Sequence, residues 1–184
     1  MPIREDPDSE LVQLAQEGDT TAFDSLVLRH RQFVYNFTRR SVGSDVVAKD
    51  LSQEVFVRAW FALPKYRPKA RFRTWLQRIT VNICRDYARG SKRRSATSDV
   101  SIEHEGLNVG DPATGPDKRA EFKDELAELR RSIAELPSQL KEVLILIAFE
   151  QHSQQECAEI LGISTRAVEN KLRRARSLLL DPRA

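Results

Sequence analysis

The chain has 184 residues, 40% hydrophobic and 31% charged, with a formal net charge of only +3. That composition fits a globular, helix-rich protein of one domain or two small ones, and so small an excess of cations says little about partners until its local clustering is known. The polar, acidic start MPIREDPDSE excludes a signal peptide, and no apolar run reaches the length that spans a bilayer.

In chain order, Asp8 can cap a first helix with Leu11, Val12, Leu14 and Ala15 inward, ended by Gly18. Asp19 or Thr20 opens a second. There Phe23, Leu26, Val27, His30, Phe33, Val34 and Phe37 recur at helical spacing to about Arg40, and Gly43 and Ser44 break the pattern. His30 has no second metal ligand nearby, so it reads as a packed residue. A third helix is expected from Asp45 to Leu63, stopped by Pro64. Val47, Leu51, Val55, Ala59 and Leu63 form its buried side, and Asp50, Gln53, Glu54 and Arg58 form a polar strip bordered by Phe56 and Trp60. The strip is either a solvated face or a docking surface, because aromatics beside acids and amides are costly unless covered.

From Lys65 to Arg94 there are eleven Lys and Arg and a single acid, Asp86, with Tyr66, Phe72, Trp75 and Tyr87 interleaved. Lys65, Arg67, Lys69 and Arg71 fall in an aperiodic stretch with Pro68, which predicts a loop. A helix follows. Phe72, Leu76, Ile79 and Ile83 line one side of it, and Trp75, Arg78, Asn82, Arg85 and Arg89 form a second row. Cations neutralise phosphates and aromatics stack on unpaired bases, so the row points to nucleic acid. The plainer alternative is a basic surface helix with Trp75 in the core.

Residues 90–118 hold four of the seven glycines and two prolines, without apolar period, and predict a flexible interdomain linker. The chain thus divides into residues 1–90, a linker at 91–118 and residues 119–184. Helices resume near Asp117, with Phe122, Leu126, Leu129, Ile133 and Leu136 in one stripe. Pro137 breaks it and Ser138 caps a helix whose Leu140, Val143, Leu144, Ile147 and Ala148 face inward. Ser153 and Glu156 then form a capping box, Gly162 forces a stop, and Ser164 caps a last helix with Val168, Leu172 and Ala175 on one face. This is the sequence form of a helix-turn-helix. Its second helix carries Arg166, Lys171, Arg173, Arg174 and Arg176 against one acid, Glu169, which suits the major groove of DNA. The bland alternative is a helical hairpin with a solvated basic face. The C-terminal LLLDPRA frays at Pro182.

The fold expected is therefore all-α: two small helical bundles joined by a flexible linker, the second a helix-turn-helix. Cys84 and Cys157 lie far apart without metal spacing and read as reduced core residues of a cytosolic protein, with a regulatory disulfide as the alternative. There is no Gly-rich phosphate loop, His/Cys/Asp metal cluster or nucleophile motif, so neither an enzyme, a cofactor nor a small-molecule substrate is expected.

Three stretches in this order resemble the extracytoplasmic-function (ECF, group 4) sigma factors of the bacterial sigma-70 family, over nearly the whole length. DLSQEVFVRAW (Asp50 to Trp60) is similar to the segment that grips the β′ coiled coil of RNA polymerase. FRTWLQRITVNICRDYAR (Phe72 to Arg89) is similar to the segment that melts and reads the −10 promoter element. ELPSQLKEVLILIAFEQHSQQECAEILGISTRAVENKLRRAR (Glu135 to Arg176) is similar to the module that reads the −35 element. The resemblance implies a cytoplasmic transcription initiation factor with no membrane insertion. Its partners would be the β and β′ subunits of core polymerase, promoter DNA and an anti-sigma factor.

By that resemblance Asp50, Gln53, Glu54, Phe56 and Arg58 would dock on polymerase. Lys65, Arg67, Lys69, Arg71, Trp75, Arg78, Asn82, Arg85 and Arg89 would hold −10 DNA with one base flipped. Ser164, Thr165, Arg166, Glu169, Asn170, Lys171, Arg173 and Arg174 would meet −35 DNA. Lys49 stands where many relatives carry an acid. Arg166 stands where relatives often have a small residue, and Glu169, Asn170 and Lys171 where they often have Lys-Ser-Arg. Cys157 stands where an aliphatic residue is usual. Promoter preference therefore does not transfer from a relative. The chief alternative is a stand-alone helix-turn-helix transcriptional regulator, which needs no strip at Asp50 to Trp60; a nucleic-acid enzyme is a second.

Overall fold

A computed structural model describes residues 6–68, 70–95, 127–129 and 131–180, and these form an all-α structure without a strand. Lys69, linker residues 96–118, the stripe residues Phe122 and Leu126, and the tail at 181–184 lie outside the described residues.

The N-terminal bundle consists of α1 (Ser9–Gln16), α2 (Thr20–Val42), α3 (Asp45–Ala62), a 3-10 turn (Leu63–Lys65) and α4 (Phe72–Ser95). Asp19 caps α2: its carboxylate accepts from the Thr21 N–H at 2.8 Å and the Ala22 N–H at 3.1 Å. Pro64 converts the end of α3 into the 3-10 turn. Leu26, Val34, Val55, Ala59, Leu63, Phe72 and Leu76 meet in the core, each large side chain worth about 1.5–3 kcal/mol of burial.

Three expectations change here. Asp8 sits at the N-cap of α1, but its carboxylate caps nothing; it takes His30 Nε2 at 2.8 Å and the Arg29 guanidinium, tying α1 to α2. His30 is accordingly a packed residue. Leu14 points outward, 40% exposed, whereas Val12 and Ala15 of α1 are buried in the core and Leu11 packs against it. Helix α4 runs to Ser95, past Gly90 and five residues beyond the expected domain edge. Lys and Arg are good helix formers, and one interior glycine costs only about 1 kcal/mol.

The C-terminal bundle holds helical residues at 127–129 and 131–135, then α5 (Ser138–Leu144) continuing into a π-helical turn (Ile145–Phe149), α6 (Gln154–Leu161) and α7 (Thr165–Leu180). The capping box is present: Ser153 Oγ accepts from the Glu156 N–H at 3.2 Å and the Glu156 carboxylate accepts from the Ser153 N–H at 2.9 Å. Gly162 takes φ +67°, the left-handed conformation that ends α6. Ser164 Oγ accepts from the Ala167 N–H at 3.2 Å and so caps α7.

Ser138, in contrast, makes no cap; it is the first residue of α5, and Pro137 stands at the cap position. Ala148 is exposed because the wider π turn shifts the helical phase, and Ile145 and Leu146 fill the core instead. Leu129, expected in the apolar stripe, is also exposed, whereas Ile133 and Leu136 are buried.

The two bundles pack on one another. Phe37, Val81 and Cys84 of the first join the core of the second, beside Val143, Leu146, Cys157, Leu161 and Val168. Both thiols are free and buried, and burial pushes each up to about 12, so they stay protonated and unreactive at neutral pH.

Candidate nucleic-acid and polymerase interface

Helix α3 presents its polar strip to solvent. Asp50 and Gln53 are exposed, and Glu54 is half-buried and ion-paired with Arg58 one turn on. Arg58 also lies 3.6 Å from Asp86 of α4, so strip and basic helix meet at one edge. Phe56 is half-buried against the core rather than displayed, as is Trp60, whose ring stands edge-on to Phe23 at 4.9 Å. The apolar side chains that are displayed were not singled out from sequence. Phe61 is 76% exposed and Val57 55%, and with Val46, Asp50 and Gln53 they continue one stripe at steps of three and four. The same periodicity, read from the polar side of the helix, would have found them.

Between α3 and α4 the backbone presents cations. Lys65 and Arg67 are exposed and Arg71 half-buried. Tyr66 plugs inward; its hydroxyl donates to the Ala70 carbonyl at 2.6 Å, and its ring packs with Trp75 at 5.0 Å and Phe72 at 6.2 Å between centroids. Burial pushes the Tyr66 phenol up to about 12. Trp75 thus packs against the core with part of its side chain at the surface. Farther along α4, Arg78 and Asn82 are exposed, and Arg89 is exposed and ion-paired with Asp86.

Arg85 departs from the expected row. It is half-buried and bound to Glu142 of α5, whose carboxylate holds its pKa above the ordinary arginine value. Two further contacts cross between the bundles. Arg40 Nη1 meets Glu150 Oε1 at 2.9 Å and stacks over Phe149 at 4.8 Å. Phe33 takes Arg73 over its face at 4.5 Å and His152 edge-on at 6.4 Å. Burial raises the Glu150 carboxyl despite Arg40. The acids Glu142 and Glu150 were missed from sequence because nothing local marks a pairing across more than fifty residues.

Helix α7 carries the second basic surface. Val168, Leu172 and Ala175 are buried, and Thr165, Arg166, Glu169, Asn170, Arg173 and Arg174 are exposed, with Ser164 exposed at the turn. Arg173 donates to Asn170 at 3.0 Å. Lys171 is half-buried and donates to Gln139 of α5 at 2.6 Å, which sets it at the margin of the surface. Two helices therefore display cations, one with aromatics beside it and one in a helix-turn-helix, the arrangement of a protein that meets nucleic acid at two places.

Comparison with known proteins agrees. Residues 26–94 match sigma-70 region 2 and residues 126–179 match sigma-70, region 4. The RNA polymerase sigma-H factor of Pseudomonas aeruginosa is 32% identical over 181 residues, covering 96% of this chain and 94% of its own. The ECF RNA polymerase sigma-E factor of Escherichia coli is 33% identical over 177 residues, covering 94% and 92%. The RNA polymerase sigma factor CnrH of Cupriavidus metallidurans is 35% identical over 184 residues, 96% of each. The solved structure of CnrH in complex with the cytosolic domain of CnrY superposes with a TM-score of 0.69, covering 96% of this chain and 99% of that one. The chain belongs to the sigma-70 family of RNA polymerase sigma factors and, within it, is of the ECF type. Among the described residues no helix is long and apolar enough to cross a membrane.

Proposed function

We propose that this sigma factor acts in the cytoplasm as a promoter-reading subunit, not an enzyme, that docks core polymerase through α3, melts and reads −10 DNA through α4 and reads duplex −35 DNA through α7. The observation that carries this reading is α7: an exposed row of Arg166, Glu169, Asn170 and Arg173 opposite a buried Val168, Leu172 and Ala175, in a helix-turn-helix with Gly162 at its turn. Such a helix lays its outer side chains against base edges.

The chemistry divides among the parts. On α3, Asp50, Gln53, Glu54 and Arg58 offer charge and amide groups, and exposed Val57 and Phe61 offer the apolar area a docked β′ coiled coil would cover. At the start of α4, Lys65, Arg67 and Arg71 face phosphates while Trp75 offers an edge on which a base can stack. Flipping a base costs a few kcal/mol, and stacking returns about 1–3 kcal/mol per base. On α7, Arg173 and Arg174 hold phosphates and Arg166 and Asn170 read bases.

CnrH, solved with the cytosolic domain of CnrY, supports an anti-sigma partner for this chain as well. In the packed arrangement described above, Arg85 of the −10 row is held by Glu142 and is not free for DNA, a state such a partner would favour.

Run-off transcription with core polymerase and a promoter library tests the reading. The chain directs initiation from a subset of the library, and Asp50→Ala and Glu54→Ala lose co-purification with core enzyme. A chain that binds duplex DNA but never polymerase is a stand-alone regulator instead.

A further inference from the structure

The segment between α3 and α4 is fastened by residues from the other end of the bundle. Gln16, the last residue of α1, uses its side-chain amide twice: Nε2 donates to the Leu63 carbonyl at 2.9 Å and to the Tyr66 carbonyl at 3.0 Å. These carbonyls flank exposed Pro64 and Lys65. The Leu63 oxygen also takes the Tyr66 N–H at 2.9 Å, so the 3-10 turn is closed from inside and from outside. At the far end, Asp6 Oδ2 accepts from the Phe72 N–H at 2.6 Å. Phe72 opens α4, and its N–H is one of the four that a helix start leaves without an internal partner. Asp6 is therefore a cap delivered from 66 residues upstream.

Asp6 is itself fixed. Its other carboxylate oxygen takes the Asp8 N–H at 3.2 Å and its carbonyl takes the Ser9 N–H at 3.0 Å, while Asp8 is anchored on Arg29 and His30. Asp6, Asp8 and Gln16 themselves carry neither a cation nor a ring. What they do is decide where Lys65, Arg67 and Trp75 stand before any nucleic acid arrives.

A loop that orders only on binding loses affinity to the lost backbone freedom, whereas a loop held in its bound shape does not. A single unstacked base is a small target that must meet stacking edge and cations together, so tolerance for misplacement is low. We infer that Asp6 and Gln16 are positioning residues for single-strand capture: they hold both ends of the segment from Leu63 to Phe72, so that Lys65, Arg67 and the Trp75 edge meet a flipped base already in place. The inference rests on the −10 role given to α4 above.

The test uses the full chain with core polymerase on a library in which the promoter region is randomised, sequencing the transcripts. Gln16→Glu keeps shape but loses both N–H donors and sets a carboxylate against two carbonyls. Asp6→Ala removes the cap, and Asp6→Asn keeps one acceptor oxygen. The expected result for Gln16→Glu and Asp6→Ala is about a tenfold fall in transcription from wild-type-selected templates, the scale of one misplaced contact. Base preference flattens at one −10 position, with −35 preference and polymerase co-purification unchanged. Asp6→Asn restores most of the preference.

An unchanged −10 preference in both variants overturns the inference. So does an equal loss of −10 and −35 preference, with a lower melting temperature, in Asp6→Ala, since that is general unfolding. If the wild-type chain itself selects no −10 sequence, the role given to α4 fails first and takes this one with it.

Discussion

Arg85 and Glu142 lock the two bundles with a two-pronged ion pair: Nε lies 3.0 Å and 3.1 Å from the two carboxylate oxygens, and Nη2 lies 2.7 Å from Oε2. A fully buried pair broken from one side costs about 3–5 kcal/mol. Here the Arg85 side chain is 35% exposed, so solvent screening reduces the expected loss for Glu142→Gln to about 1–2 kcal/mol. Denaturant unfolding measures it. The same change releases Arg85 toward nucleic acid, so the free chain should hold a single-stranded oligonucleotide more tightly than wild type. Unchanged values in both measurements would mean that the pair does not hold the bundles closed.

At the turn of the helix-turn-helix, a Cβ on Gly162 would meet nothing within 4 Å, yet its φ is +67°. Gly162→Ala therefore carries backbone strain without a clash. The expected loss is about 1 kcal/mol, seen as a lower melting temperature. Affinity for duplex promoter DNA should fall with it, because the turn sets the angle of α7.

On α7 the division between backbone and base contacts can be read from salt. Arg174→Ala should weaken binding to all duplexes alike and lower the slope of log affinity against log salt by about 0.9, the value of one phosphate contact. Arg166→Ala should instead change which sequences are preferred. Uniform weakening by both variants would remove the distinction.

His152 sits between the bundles, edge-on to Phe33, with its Nδ1 3.9 Å from Glu156 Oε2. Burial first, and Arg73 second, hold its pKa below 6.5, and Glu156 pulls the other way. The unfolded chain therefore takes up this proton before the packed chain does. Stability carried by neutral His152 is complete above pH 6.5 and declines as the pH falls from 6.5 toward the packed-state value. Glu150 works in the opposite sense, because its buried carboxyl is raised above 4.5 and folding then favours proton uptake. Comparing wild type with His152→Gln between about pH 7.5 and about 5.5 isolates the histidine. The wild-type melting temperature should fall more steeply, and equal slopes would exclude the effect.

Sequence alone carried the local features well. Ser153 with Glu156, Gly162, and the spacing of Val168, Leu172 and Ala175 specify the helix-turn-helix because caps, turns and apolar period are written in neighbouring residues. It misled where a side chain had a distant use. Asp8 looks like a cap but serves His30 and Arg29, and the phase of Ala148 is shifted by a π turn that no short pattern encodes. Arg85 shares helical spacing with Arg78 and Asn82, but Glu142, 57 residues away, draws it out of their exposed row. Asp6 and Gln16 gave no signal, since one acid near a terminus and one amide at a helix end have no periodicity to betray them.

The shared cluster around Phe37, Val81 and Cys84 bears on how the halves live apart. Synthesis releases the first bundle before the second, so this greasy seam waits on a finished platform for its mate to settle against. A truncated product holding only the second half would keep its share of that seam bare and tend to self-associate. Whatever pulls the two halves open must likewise shield the seam with an oily surface of its own.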